Sequence, residues 1–98
     1  PVLMTRDVAA RQRRIDFYAR TAAMGARLGA KVVSFWAGID RQPGSDSEAW
    51  MLEGIAATCA RIRAEGLTPA LEPEPGMALE TVADWHRMRS ALGSDAPR

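Results

Sequence analysis

The sequence of 98 residues contains a single cysteine, Cys59, and a single histidine. One cysteine excludes a disulfide bond within the chain and a metal site built from several thiolates, so a reducing compartment is expected. No apolar run approaches the ~20 residues of a transmembrane helix, and Asp7 with several arginines interrupts the region where a signal peptide needs an unbroken apolar stretch. These absences predict a cytoplasmic protein that has no membrane partner.

No charge of one sign prevails, because thirteen basic residues stand against twelve acidic ones. The first 30 residues carry six arginines and two aspartates, but no aromatic residues alternate with these arginines as they do in many nucleic-acid-binding surfaces. We interpret this segment as the solvated face of a helix, and nucleic-acid binding is not expected. With 47% apolar and 26% charged residues, the chain has the composition of one small globular unit.

Helical and strand patterns alternate along the chain. Gly29, Gly66 and Gly93 each follow an apolar segment of helical period, as terminating glycines do, and Ser45 with Glu48 has the spacing of a capping box. The predicted elements are a helix over about residues 6–28, a strand over 31–38, a helix from the capping box to Gly66, a strand over 67–72 and a helix over about 79–92. Residues 94–98 are predicted to form a frayed tail.

The apolar stripes of the three helices are the predicted core. Pro69 within the second strand has no N–H to donate, so we expect it at the edge or the start of that strand. The residues predicted to be buried are Val8, Ile15, Ala19, Ala22 and Ala26 in the first helix, Met51, Leu52, Ile55, Ala56, Cys59 and Ile62 in the second, and Val82, Trp85 and Leu92 in the third.

The order helix, strand, helix, strand, helix predicts an α/β fold with a parallel sheet. The two strands start about 36 residues apart, which is the length of one βα unit. A parallel sheet of two strands leaves both of its edges unpaired. Residues 1–98 are therefore predicted to be one segment of a larger α/β fold, or a unit of which several copies assemble.

A carboxylate stands at the end of the second predicted strand. Glu72 follows an apolar strand directly, and the carboxyl ends of parallel strands are where α/β folds place ligands and catalytic groups. Pro73 and Pro75 stiffen the turn that follows. A carboxylate in this position can bind a divalent metal or transfer a proton, and it can equally cap a helix or pair with an arginine.

The segment Leu-Glu-Pro-Glu-Pro-Gly-Met at residues 71–77, followed by Glu-Thr-Val-Ala-Asp at 80–84, resembles the sugar phosphate isomerase/epimerase group, whose fold is a xylose-isomerase-like TIM barrel. The segment Ala-Arg-Leu-Gly-Ala-Lys-Val-Val-Ser at 26–34 is similar to a helix–strand unit of that group. The resemblance covers about residues 14–93. It implies that the chain forms two βα units of such a barrel, preceded by an extra helix.

The resemblance also implies chemistry for Glu72. In that group the glutamate at this strand end is a ligand of a catalytic divalent metal, which is Mn, Mg, Co or Zn. It is also one of two glutamates that move a proton next to the sugar carbonyl through an enediolate. The implied small-molecule partner is a sugar or a sugar phosphate. The group's other metal ligands come from later strands, and a full barrel needs about 250 residues, so the fragment is expected to be inactive alone.

Three further residues are candidates for substrate binding. Glu74 and Glu80 lie in the turn after Glu72, and Trp36 ends the first strand, where a barrel places substrate-contacting rings. The alternatives are charges placed favourably near a helix N-terminus for the two glutamates, and core packing for the tryptophan. His86 lies within the third helix and is interpreted as a surface or interface residue.

Two hypotheses for function follow. The first is a metal-dependent sugar or sugar-phosphate isomerase or epimerase, of which this chain is a fragment. The second is a non-catalytic α/β module that self-associates as a homo-oligomer through its open sheet edges and exposed apolar helix faces.

Overall fold

The computed structural model describes residues 3–98, in which three helices alternate with two strands. The helices α1, α2 and α3 and the strands β1 and β2 follow the predicted order, which confirms the α/β class. Their bounds are α1 Val8–Arg27, β1 Val32–Phe35, α2 Ser47–Ala64, β2 Thr68–Leu71 and α3 Val82–Leu92, and a 3₁₀ turn covers Gly93–Asp95. None of the helices within residues 3–98 is both long enough and apolar enough to cross a bilayer.

The two strands are parallel, and Val32 pairs with Thr68 while Phe35 pairs with Leu71. Side chains alternate between the two faces of the sheet. Val33, Phe35 and Leu71 are buried against the helices. The opposite face is not covered by any element of the described chain, and 51% of the Val32 surface is exposed there. We call this the open face, and its strand residues are Val32, Ser34, Thr68 and Ala70.

The core lies between the helix-covered face of the sheet and the helices. The α2 stripe of Met51, Ile55, Cys59 and Ile62 is buried, as its period predicts. In α1, Ile15, Ala19 and Ala22 are buried as well, and Ala22 is fully enclosed. Ala19 and Ala22 are small, so little side-chain bulk keeps the backbone of α1 away from the elements it packs against.

Three predicted core positions are wrong. Val8 and Val82 are each 67% exposed, and Ala26 is exposed too. Val8 and Val82 are the first residues of α1 and α3, and Ala26 lies in the last turn of α1. All three therefore lie at helix ends, which extend beyond the core. Met88 is the residue of α3 that is buried, while Trp85 and Leu92 are only partly covered.

The capping predictions differ from the structure at two helix starts. Asp46, and not Ser45, is the N-cap of α2, and its side chain makes no capping hydrogen bond. The Ser47 hydroxyl instead donates to the carbonyl of Gly44 over 3.1 Å. In α3, a capping box between Thr81 and Asp84 starts the helix at Val82, three residues later than predicted.

The tail is ordered, so the prediction of fraying at residues 94–98 differs from the structure. Ala96 and Pro97 are buried, the Arg98 N–H donates to the Pro69 carbonyl over 2.9 Å, and the Leu71 N–H donates to the Arg98 carbonyl over 2.6 Å. These bonds satisfy the free edge of β2. The N–H groups of Thr68 and of Glu72, which follows β2, donate to the carbonyls of Lys31 and Phe35. Because successive N–H groups of a strand alternate between its two edges, the position of Pro69 lies on the edge away from β1, where a missing N–H breaks no bond between the two strands.

Candidate active site

Two side chains follow the carboxyl ends of the two strands. Trp36 comes directly after β1 and Glu72 directly after β2. The Glu72 N–H donates to the Phe35 carbonyl over 3.2 Å, so the ladder of parallel bonds continues one step past the last assigned pair. Because Phe35 pairs with Leu71, this step sets Trp36 beside Glu72, at the interstrand spacing of about 4.8 Å.

Both residues lie on the open face. Alternation along each strand puts Trp36 on the side of Ser34, and Glu72 on the side of Ala70. The indole is 49% exposed, and Glu72 is exposed too. An ionised carboxylate is a hydrogen-bond acceptor and a base, and an indole is a flat apolar surface with one donor. The pair can therefore accept from hydroxyl groups and cover the apolar face of a small polar ligand.

The loop after β2 is fixed to the loop after β1. Ala78 donates its N–H to the Gly38 carbonyl over 2.8 Å. Within the loop, the Glu74 N–H donates to the Leu79 carbonyl over 3.1 Å, and the Glu74 carbonyl accepts from Met77 over 3.0 Å. Glu74 is half-buried, two residues beyond Glu72. These bonds make the turn a closed unit that holds Glu74 near the strand ends.

Glu80 stands apart from this pair in its bonding. Its backbone N–H donates to the Asp84 carboxylate over 3.2 Å at the start of α3, and its side chain is exposed. None of the side-chain hydrogen bonds or ion pairs recorded for residues 3–98 joins Glu80 to Glu72 or Trp36. The structure thus places Glu80 at a helix N-terminus, where a negative charge is also favourable for the helix itself.

An ion network at the start of α3 was missed by the sequence analysis. The carboxylate of Asp84 accepts from the Arg87 guanidinium over 2.9 Å, and also from Thr81 and Glu80. Arg87 first, and then these other donors, hold the pKa of the Asp84 carboxyl well below its usual range. Arg87 also bonds Glu48 of α2 over 3.2 Å, and the two acidic partners raise the pKa of Arg87. The spacing of Thr81 and Asp84, which is that of a capping box, was the available signal.

A cavity of about 390 Å³ opens between the loop after β1 and the start of α2. The Gln42 side-chain oxygen accepts from the Arg6 N–H over 3.1 Å at its wall, and Trp50 forms another part of the lining. Neither Trp36 nor Glu72 lines it. This cavity lies apart from the strand-end residues, and its lining combines residues 42–46 of the loop with Arg6 and with Trp50 of α2.

Glu72 is one oxygen donor of the kind that divalent cations accept. Residues 3–98 contain no group of three or more His, Cys, Asp or Glu side chains arranged to hold a metal ion. Cys59 is fully buried in α2, and burial raises the pKa of its thiol to about 11, so it is not a thiolate ligand at neutral pH. The residues described here therefore do not fit a metal centre by themselves.

The lone histidine lies away from the strand ends. His86 is exposed on α3, with its ring 5.2 Å from that of Trp85. This placement agrees with the interpretation of His86 as a surface residue.

Comparison with known proteins identifies the fold. The model of the family described as xylose isomerase-like TIM barrel matches residues 2–97. Among solved structures, the crystal structure of protein SMc04130 from Sinorhizobium meliloti 1021 is similar with a TM-score of 0.78 and 24% identity, over 97% of this chain and 38% of that one. No curated protein matches the chain.

The chain thus spans 38% of the length of the solved structure that it matches. Its parallel strands, the helices on one side of them and the residues at their carboxyl ends have the arrangement of βα units of a barrel. The matching family includes sugar isomerases and epimerases. With the family model matching residues 2–97, this chain belongs to the xylose isomerase-like TIM barrel family.

Proposed function

We propose that this chain contributes part of the substrate site of a sugar or sugar-phosphate isomerase or epimerase. The observation that carries the proposal is the placement of Glu72 beside Trp36, on the open face and at the carboxyl ends of β1 and β2. Catalytic groups in barrels of this kind stand at these strand ends. The membership in a family that includes sugar isomerases supports the choice of substrate class.

The proposed chemistry is a redox-neutral proton transfer. The Glu72 carboxylate takes the proton from the carbon next to the substrate carbonyl, and the electron pair of that C–H bond forms the double bond of an enediolate. In an isomerisation, a proton returns to the former carbonyl carbon while the hydroxyl proton of the other carbon passes to the former carbonyl oxygen, so that the carbonyl moves by one carbon. In an epimerisation, the proton returns to the opposite face of the carbon that lost it and the carbonyl re-forms in place. The acid that returns this proton can be Glu72 itself or a second group.

Trp36 and Glu74 are proposed to bind the sugar. The exposed indole covers the apolar C–H face of a sugar ring, which excludes water on that side. Glu74, held in the turn by its two backbone bonds, accepts from a sugar hydroxyl. Glu80 is assigned a weaker part in the same role, because its backbone belongs to the capping region of α3.

A divalent cation, Mn, Mg, Co or Zn, is proposed to assist this reaction. When bound, it polarises the carbonyl and hydroxyl oxygens of the sugar. Glu72 offers one ligand, and since one carboxylate does not retain such an ion, further ligands from outside residues 3–98 are required. We accordingly propose that the 98-residue chain alone is inactive.

The test uses the protein that the source genome encodes, and it measures the interconversion of aldoses, ketoses and their phosphates in D₂O with each cation in turn. We expect conversion with deuterium at the carbon next to the carbonyl, and its loss in Glu72→Gln, which keeps the shape of the side chain but cannot act as a base. A fully active Glu72→Gln variant would contradict the proposed role.

A second candidate function is a self-associating module. Phe17 and Met24 of α1, with Leu28 directly after the helix, form an exposed apolar stripe. Val32 and Trp36 are exposed on the open face. Apolar surfaces of this kind favour association. Sedimentation of the 98-residue chain distinguishes the two candidates: a stable oligomer without metal supports the module, and a folded monomer counts against it.

A further inference from the structure

Arg98 is paired with β2 on the edge that faces away from β1. Its N–H donates to the Pro69 carbonyl over 2.9 Å, and its carbonyl accepts from the Leu71 N–H over 2.6 Å. In a parallel pair of strands, a residue donates its N–H to residue j−1 of the neighbouring strand and accepts from the N–H of residue j+1, and its partner is residue j. Here residues j−1 and j+1 are Pro69 and Leu71. Arg98 is therefore the partner of Ala70, at a third parallel strand position.

This pairing fixes the face on which the Arg98 side chain lies. Partners in a ladder place their side chains on the same face, and Ala70 shares its face with Glu72. Arg98 is thus on the open face, one strand across and two residues back from Glu72, about 8 Å away between Cα atoms by the spacings of about 4.8 Å and 3.3 Å per step. Ala70, the residue of β2 directly beside Arg98, is small, so a long side chain can lie past it toward Glu72.

Among the strand positions of this face within residues 3–98, Glu72 and Arg98 carry opposite charges. The strand residues Val32, Ser34, Thr68 and Ala70, and Trp36 beside them, are uncharged, whereas Glu72 and Arg98 are charged. Both are exposed, and the three ion pairs recorded within residues 3–98 use neither of them. A pair between exposed side chains contributes little in water, but it becomes stronger when a ligand covers the face and displaces that water.

We propose that Arg98 is a positioning residue for Glu72, and this inference rests on the function proposed above. Once substrate covers the open face, the Arg98 guanidinium donates to one oxygen of the Glu72 carboxylate. The other oxygen is then directed at the substrate proton. A guanidinium is suited to this because its planar N–H groups bind a carboxylate with defined geometry.

The placement is tested on the 98-residue chain by amide hydrogen exchange and nuclear Overhauser contacts. The Leu71 N–H is expected to exchange as slowly as the Glu72 N–H, and the Arg98 amide is expected to contact the backbone of residues 69–71. A Leu71 amide that exchanges at the rate of an exposed amide would overturn the placement, and with it the proposal.

The role is tested by kinetics on the gene product as its source genome encodes it. Arg98→Gln is expected to lower kcat about tenfold with KM changed less than twofold, since small displacements of a catalytic group cost this much or more. Arg98→Lys is expected to restore part of kcat, and Arg13→Gln, on the exposed side of α1, serves as the matched control. An unchanged kcat in Arg98→Gln, or a raised KM at normal kcat, would overturn the positioning role.

The proposed function and the role of Arg98 can fail separately. If the wild-type gene product converts no sugar, the proposed function fails. The placement of Arg98 on the open face is then still decided by the exchange measurement. If the wild type is active and loses activity in Glu72→Gln but not in Arg98→Gln, the inference about Arg98 alone fails.

Discussion

At the scale of single residues, burial determines what a side chain can do. Cys59 and Glu72 are both ionisable, but Cys59 is enclosed in α2 and Glu72 is open to solvent. Desolvation is the largest cause of the raised thiol pKa, Arg63 lowers it and Asp95 raises it. The thiol is thus a small apolar group of the core, and chemistry is left to residues at the strand ends.

The Cys59 thiol makes stability depend on alkaline pH. Its folded pKa is raised from 9.0 to about 11, so above pH 9 the unfolded chain loses a proton that the folded chain retains. This contribution to stability is fully present below pH 9 and is lost as the pH rises toward 11. Between pH 8 and pH 10.5, we expect the free energy of unfolding to fall by about 2 kcal/mol more in the wild type than in Cys59→Ala. Denaturant unfolding of both proteins measures this difference, and parallel pH profiles would contradict the burial of the thiol.

The positions of Trp36 and Glu72 at the strand ends were predictable, but the residues beside them were not. Glu72 and Trp36 come directly after apolar strands, and the end of such a strand can be recognised from the sequence because the apolar run stops there. Arg98 lies in a polar tail whose sequence has no helix or strand pattern. Its place on the open face depends on two hydrogen bonds to β2, which the sequence around Arg98 does not predict. Pairing between segments distant in sequence is a tertiary property.

At the scale of elements, periodicity predicted every helix and strand but not where each begins. The start of α3 shows why: Leu79 stands three residues before Val82, at helical spacing, yet the Thr81 hydroxyl accepts from the Asp84 N–H over 3.1 Å and the helix begins only at Val82. At α2, the Ser45–Glu48 spacing was satisfied in sequence but not in space. A cap is decided by local bonding that competes with the helix.

Loss of the α3 cap is expected to destabilise the protein. Thr81→Ala removes the acceptor for the Asp84 N–H and one donor to the Asp84 carboxylate, and should cost about 1 kcal/mol of unfolding free energy. Thr81→Ser keeps the hydroxyl and is the matched control, with near wild-type stability. Thermal unfolding and amide exchange in α3 report the effect. Equal stability of the alanine and serine variants would show that the cap contributes nothing.

At the scale of the whole molecule, the chain covers one face of its sheet and leaves the other open. Phe35 and Leu71 point into the helix-covered core, and Trp36 and Glu72 lie on the side without helices. In a closed barrel that side is the interior, and its upper end holds the active site. The incomplete sheet was predictable from two strands in 98 residues, because no parallel pair buries both its faces with so few elements.

The most direct test of this account compares Glu72→Gln with Glu53→Gln in the gene product as its source genome encodes it, by the rate of deuterium incorporation into a sugar that the wild type converts. Glu53 is exposed on α2, so its variant makes the same chemical change away from the strand ends. We expect Glu72→Gln to lose about 100-fold or more in rate, which is the contribution of a positioned general base, and Glu53→Gln to keep the wild-type rate. Equal rates in the two variants would contradict the assignment of Glu72 as the base.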